Sequence, residues 1–175
     1  MALVFQYGSN ADSARLNSSE RLRGDAHPVG IAKTEDNFEL DFTVRSEGNK
    51  CAAADMVPGG GRKIWGVLYE IPDYLITRET AKPLGRKSLD AIEGEGSNYT
   101  RISIALRYPD GRAVERDVIT YVVRCRIRNQ QTSLAYVSHI IRGLRQHYVP
   151  DEYIEYVKRR VIANNHSLET AIEAL

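Results

Sequence analysis

Ile64-Trp65-Gly66-Val67-Leu68-Tyr69-Glu70-Ile71 limits the fold more than any other stretch of this chain. It is dense in β-branched and aromatic residues and is stopped by Pro72-Asp73, so it reads as a strand. It has company. Leu3–Tyr7 reads as a short buried strand, and Val29–Ala32 and Phe38–Val44 as further strands, the last alternating apolar and polar. Ser46–Lys50 makes a turn, and Cys51–Met56 is small and apolar, which suits a strand packed close against a neighbour. Tyr99–Tyr108 and Val114–Arg126 alternate on either side of Pro109-Asp110-Gly111, a hairpin signal. From Ser133 the period changes. Ser133–Tyr148 and Asp151–Asn164 read as helices. The second follows Pro150 and carries Tyr153, Ile154, Val157, Val161 and Ile162 on one stripe. Ser13–Arg23 reads as a short helix capped by Asp12 or Ser13, Tyr74–Leu84 and Lys87–Ile92 as helix or loop, and Ser167–Leu175 as a short last helix. Strands followed by helices predict an α+β fold with a mainly antiparallel sheet or barrel.

A length of 175 residues predicts one domain over 1–175. With 42% hydrophobic and 27% charged residues, a packed core is expected. A net charge of +1 argues against a nucleic-acid partner or a polybasic membrane surface. The local run Arg124-Cys125-Arg126-Ile127-Arg128 alternates, which predicts arginines on one solvated face of a strand. Cys51 and Cys125 are far apart and make neither a disulfide framework nor a metal motif, so a reducing compartment is expected. No run approaches the ~18 apolar residues of a membrane span. No basic segment leads into an apolar stretch at the start, so the expected location is cytoplasmic.

Two stretches carry candidate chemistry. Tyr7-Gly8-Ser9-Asn10 follows a buried strand, and a turn of this kind can present consecutive backbone N–H groups to an anion. Leu89-Asp90-Ala91-Ile92-Glu93-Gly94-Glu95-Gly96 delivers a carboxylate into a Gly-rich loop, where glycines on either side of Glu95 would let the backbone approach a ligand. The plain alternative for Glu93 is a solvated loop acid. His139 and His147 fall on one side of a helical stretch without a carboxylate or thiolate beside them, which favours surface or packing roles over metal ligation. Gly59-Gly60-Gly61-Arg62-Lys63 lacks phosphate-loop spacing and precedes a strand. Trp65 reads as a core residue.

Phe5-Gln6-Tyr7-Gly8-Ser9-Asn10 resembles the opening motif of the gamma-glutamyl cyclotransferase superfamily. Ile64–Ile71 is similar to the family's next strand. Leu89-Asp90-Ala91-Ile92-Glu93-Gly94 with Tyr99-Thr100-Arg101, and then Tyr136, Ile140-Ile141-Arg142-Gly143 and Pro150-Asp151-Glu152-Tyr153, follow in the family's order. The resemblance implies a small mixed, mainly antiparallel β-barrel with peripheral helices. It implies release of 5-oxoproline from a small-molecule gamma-glutamyl substrate, without metal or organic cofactor, by a monomer or homodimer. Glu93 is the family-matched proton carrier. Tyr7, Gly8, Ser9 and Asn10 are the expected donors to the substrate's carboxylate and carbonyl. Tyr99 and Tyr136 are expected to bind or orient substrate, with aromatic packing as the alternative for both. Asn10 stands where the glutathione-specific branch has Leu, which counts against glutathione as the preferred substrate. The spacing from Glu93 to Tyr99 is also shorter than in some members. A binding module without turnover on the same fold is the second reading, and a helical tail from Ser133 docking on a partner a third. The leaving group is left open, with Arg124, Arg126 and Arg128 as candidates to steer an acidic one.

Overall fold

The computed structural model describes all 175 residues. Eight strands form: β1 (Ala2–Gln6), β2 (His27–Thr34), β3 (Phe38–Ser46), β4 (Cys51–Pro58), β5 (Trp65–Ile71), β6 (Tyr99–Ser103), β7 (Leu106–Arg107) and β8 (Val118–Val123). The helices are α1 (Ser13–Leu16), α2 (Arg78–Ala81), α3 (Leu89–Glu93), α4 (Leu134–Gln146), α5 (Asp151–Asn164) and α6 (Glu169–Glu173). Six strands make one sheet in the order β6-β8-β1-β5-β2-β7, and β3 and β4 pair separately as a hairpin. β1 and β8 run parallel, with Leu3 opposite Val118, and every other pairing is antiparallel.

The expected α+β class and mainly antiparallel sheet are what forms, and the sheet curls into a half-barrel. Its two edges are joined by the link Ile104-Ala105. Ile104 N–H donates to Val118 O and Glu35 N–H donates to Ala105 O, each at 2.9 Å. The single strand expected over Tyr99–Tyr108 is therefore two. Its first part pairs with β8 and its second with β2, on opposite edges. The Pro109–Gly111 turn is real but closes a small local loop, with Val114 N–H donating to Leu106 O at 2.9 Å.

β1 holds the centre of the sheet, so its run of apolar residues is buried on both faces. Gly66 on β5 is required there, because a Cβ would lie 2.5 Å from Gln6 O and 2.7 Å from the Phe5 ring. Small residues on β4 let the hairpin close over the sheet, as the sequence suggests. Asp55 ties the hairpin down. Fully buried, it accepts from Thr43 Oγ1 at 2.9 Å, Val123 N–H at 3.2 Å and Arg126 Nε at 2.6 Å.

That last bond corrects the reading of the basic run. β8 ends at Val123, and Arg124–Arg128 do not form a strand face. Arg126 is drawn to Asp55, and Arg124 donates to Gly96 O. A buried carboxylate needs a charged partner more than the sheet needs another ladder rung.

α5 has the expected bounds, while α4, capped by Ser133 through Tyr136 N–H, stops at Gln146, two residues short of Tyr148, which turns at φ 58°. They bury Val137, Ile140, Ile141 and Leu144, and Tyr153, Ile154, Val157 and Val161, inside the chain's own core. Full burial of such side chains contributes about 1.5–3 kcal/mol each. Their apolar stripes are thus already occupied, which removes the ground for a tail that docks elsewhere. Ile162 is only half-buried. α1 is shorter than expected. Asp12 caps it by accepting from Ala14 and Arg15 N–H, but it stops at Leu16, and the chain turns through Arg23 (φ 55°) and Gly24 (φ 93°). The thin apolar face of that stretch gives a longer helix nothing to bury. No helix is long and apolar enough to cross a membrane.

Candidate active site

β1 ends at Gln6, and the chain turns at once through a 3-10 turn over Ser9–Ala11. Gly143 of α4 lets that turn be reached. A Cβ on it would lie 2.3 Å from Ala11 C and 2.4 Å from Asp12 N. The N–H groups of Gly8, Ser9 and Asn10 find no acceptor in the turn, as at the start of any helical turn. Gly8 has ordinary extended backbone, so its lack of a side chain answers to space. A Cβ would point between Ala54 Cβ and Tyr136 Oη, 3.5 Å from each, and so into a recess.

Gln6, Tyr7, Gly8, Ser9, Asn10, Ala54, Glu93, Tyr99, Thr120, Tyr121 and Tyr136 line this recess. Tyr7, Gly8, Ser9, Asn10, Glu93, Tyr99 and Tyr136, the residues that the resemblance points to, thus meet in one place. Ser9, Asn10, Glu93, Tyr99 and Tyr136 also line a wider cleft outside it, so Glu93 stands at the junction.

Glu93 is the last residue of α3. Gly94 (φ 73°) caps that helix in the left-handed region, and Gly96 (φ 84°) completes the turn into β6. The glycines beside Glu95 therefore serve the turn rather than a ligand, and Glu95 faces Arg78 at 3.4 Å. α3 is anchored by Asp90, which accepts two bonds from Arg101 Nη1, at 3.0 and 2.8 Å, and one from Tyr121 Oη at 2.7 Å. Glu93 is not a solvated loop acid. Its Oε1 accepts from Asn10 Nδ2 at 2.8 Å and from Gln6 Nε2 at 3.0 Å, while Oε2 takes no bond from the protein. Burial raises the carboxyl above the ordinary glutamate value. The amides of Asn10 and Gln6 and the charges of Arg21 and Arg15 oppose the shift without cancelling it.

The tyrosines bond the framework. Tyr7 Oη donates to Tyr121 O at 2.8 Å. Ala54 is gripped from both sides: Tyr99 Oη donates to its carbonyl at 2.7 Å, and its N–H donates to Tyr136 Oη at 3.0 Å. Tyr136 is thereby left with a hydroxyl proton to give, and Tyr99 is not. Burial pushes all three phenols up, so they are neutral at physiological pH. Asn10 uses its side chain inside the protein, since its Oδ1 accepts from Arg21 Nη1 at 3.0 Å.

The sequence reading missed Gln6, Tyr121 and Arg21. Gln6 carried a usable signal, because a polar residue closing a buried apolar strand must find a buried partner. One expectation about the histidines is corrected: a carboxylate does stand beside His139, whose Nδ1 meets Asp12 Oδ2 at 2.7 Å, because the fold brings the α1 cap against α4. His147 Nε2 meets Ser13 Oγ at 2.8 Å. No group of three or more His, Cys, Asp or Glu side chains is placed to hold a metal ion.

A family model described as "Gamma-glutamyl cyclotransferase, AIG2-like" matches residues 4–139. The chain belongs to that family. The gamma-glutamyl cyclotransferase fold is seen in solved structures as well. One named gamma-glutamyl cyclotransferase superposes with a TM-score of 0.71 at 23% identity, covering 90% of this chain and 86% of its own. An uncharacterized protein from Homo sapiens does so with 0.71 at 24%, covering the same shares. YkqA from Bacillus subtilis gives 0.70 at 27%, covering 91% of this chain and 54% of its own, so this chain spans about half of YkqA. No curated protein matches by sequence.

Proposed function

We propose that the chain is a gamma-glutamyl cyclotransferase that releases 5-oxoproline and a free amine or amino acid. The observation that carries this reading is the state of Glu93: one oxygen is fixed by Asn10 and Gln6, the other takes no bond from the protein, and the residue lines both the recess with Gly8, Ser9 and Asn10 and the cleft outside it.

A gamma-glutamyl group holds its nucleophile and its electrophile in one short chain. The α-ammonium must lose a proton before it can attack. Glu93 Oε2 accepts that proton, and the raised carboxyl pKa narrows the gap to the more basic α-amine. The amine closes on the γ-carbonyl to form a five-membered ring, an intramolecular attack whose main demand is the correct fold of the substrate. The carbonyl oxygen gains charge as the ring closes. The free N–H groups of the Gly8–Asn10 turn and the Tyr136 hydroxyl are the donors at hand. The ring nitrogen sheds its second proton to solvent, collapse of the adduct breaks the C–N bond and restores the carbonyl, and Glu93 returns the first proton to the leaving amine. Release of 5-oxoproline from a panel of gamma-glutamyl amines and amino acids tests the reading. Stabilisation by those compounds with no product over a long incubation supports the binding module instead.

A further inference from the structure

Arg15 and Arg21 stand in the cleft outside Glu93, and neither is in an ion pair. Arg15 Nη2 donates to Asn49 Oδ1 at 2.7 Å, and its Nε is sealed from solvent without any acceptor. Arg21 Nη1 donates to Asn10 Oδ1. Both partners are neutral amides. The two guanidinium groups are also close enough to repel: burial first, and then the charge of Arg15, lower the basicity of Arg21. The acids facing this pair are Glu93, and Glu20 and Glu47 at the exposed rim, where Glu47 lies 3.5 Å from Arg45. A half-buried cation pair beside one carboxylate leaves positive charge unmatched, and guanidinium is shaped to take a second carboxylate.

We infer that Arg15, backed by Arg21, forms a carboxylate subsite for the leaving group, so that the amine released is that of an amino acid. This rests on the cyclotransferase reading, which puts the γ-glutamyl half in the recess and the scissile bond at Glu93. The leaving group then extends into the cleft, where these arginines stand. An α-amino acid linkage carries its carboxylate two bonds from the scissile nitrogen. Arg124, Arg126 and Arg128 do not line the cleft, so they are not the steering group. Arg15 is the residue to test, because Arg21 also holds Asn10 and through it Glu93.

The test compares kcat/KM for γ-glutamyl-alanine and γ-glutamyl-ethylamine, which differ by that carboxylate, in the parent, Arg15→Met and Arg15→Lys. The ratio should favour γ-glutamyl-alanine in the parent, fall about tenfold in Arg15→Met and recover in part in Arg15→Lys. An influence of Arg15 on Glu93 moves both substrates together and leaves the ratio alone. An unchanged ratio, or an equal loss on both, overturns the subsite. If the parent releases 5-oxoproline from no compound of the γ-glutamyl panel, these two included, the cyclotransferase reading fails on its own. Calorimetry then decides the subsite, which stands if Arg15→Met weakens γ-glutamyl-alanine alone and falls otherwise.

Discussion

Asn10 donates its side-chain amide to Glu93 Oε1 at 2.8 Å, joining the turn after the first strand to the end of α3. The bond ties the turn after β1 and the carboxylate proposed to carry the proton into one unit. Gln6 repeats the link from the strand itself.

Gly8→Ala should separate activity from stability. The new Cβ meets Ala54 Cβ and Tyr136 Oη at ordinary contact distance, and the backbone is unstrained. Denaturant unfolding should change by under about 1 kcal/mol. Because the methyl fills the recess, 5-oxoproline release should fall at least tenfold. Full activity would show that the recess is not where the γ-glutamyl group sits.

Asn10→Ala should move the pH dependence. The Asn10 amide favours the ionised form of Glu93, so its loss raises the carboxyl further. The base form is then reached only at higher pH. The acid limb of the kcat/KM profile should shift upward from the parent's, which itself lies above the ordinary glutamate value of 4.5. A limb that stays in place would mean that another group sets it.

Gly143→Ala should act at a distance. Its Cβ would overlap the backbone of Ala11 and Asp12, so α4 must move off the turn. Overpacking of this kind costs about 1–3 kcal/mol. The midpoint of denaturant unfolding should fall and activity with it, since α4 carries Tyr136. An unchanged midpoint would contradict the packing.

How much of this was legible depends on what each residue answers to. β1, β5 and α5 follow from local composition and period, and they form where the pattern puts them. That the candidate residues from Tyr7 to Tyr136 share one recess was legible through the resemblance, not through periodicity. What escaped is set by partners far along the chain. The break at Ile104-Ala105 exists because two sheet edges compete for one segment. The arginine run leaves the sheet because Asp55, in another strand, is buried and charged. The roles of Tyr99 and Asn10 changed for the same reason, since their polar atoms are spent on Ala54 and Glu93.

Glu93→Gln tests the central claim most directly. The amide keeps an oxygen for Asn10 and Gln6, so the fold should survive. The Glu93 pKa is higher folded than unfolded, so its favourable term is present at low pH and is lost as pH rises through the folded value. At pH 7 the ionised carboxylate is a cost, and Glu93→Gln should melt at or above the parent. The measurement is 5-oxoproline release at pH 7 from the γ-glutamyl compound that the parent turns over fastest. The account predicts a loss of at least a hundredfold with melting unimpaired. A folded Glu93→Gln protein with parental activity would contradict it.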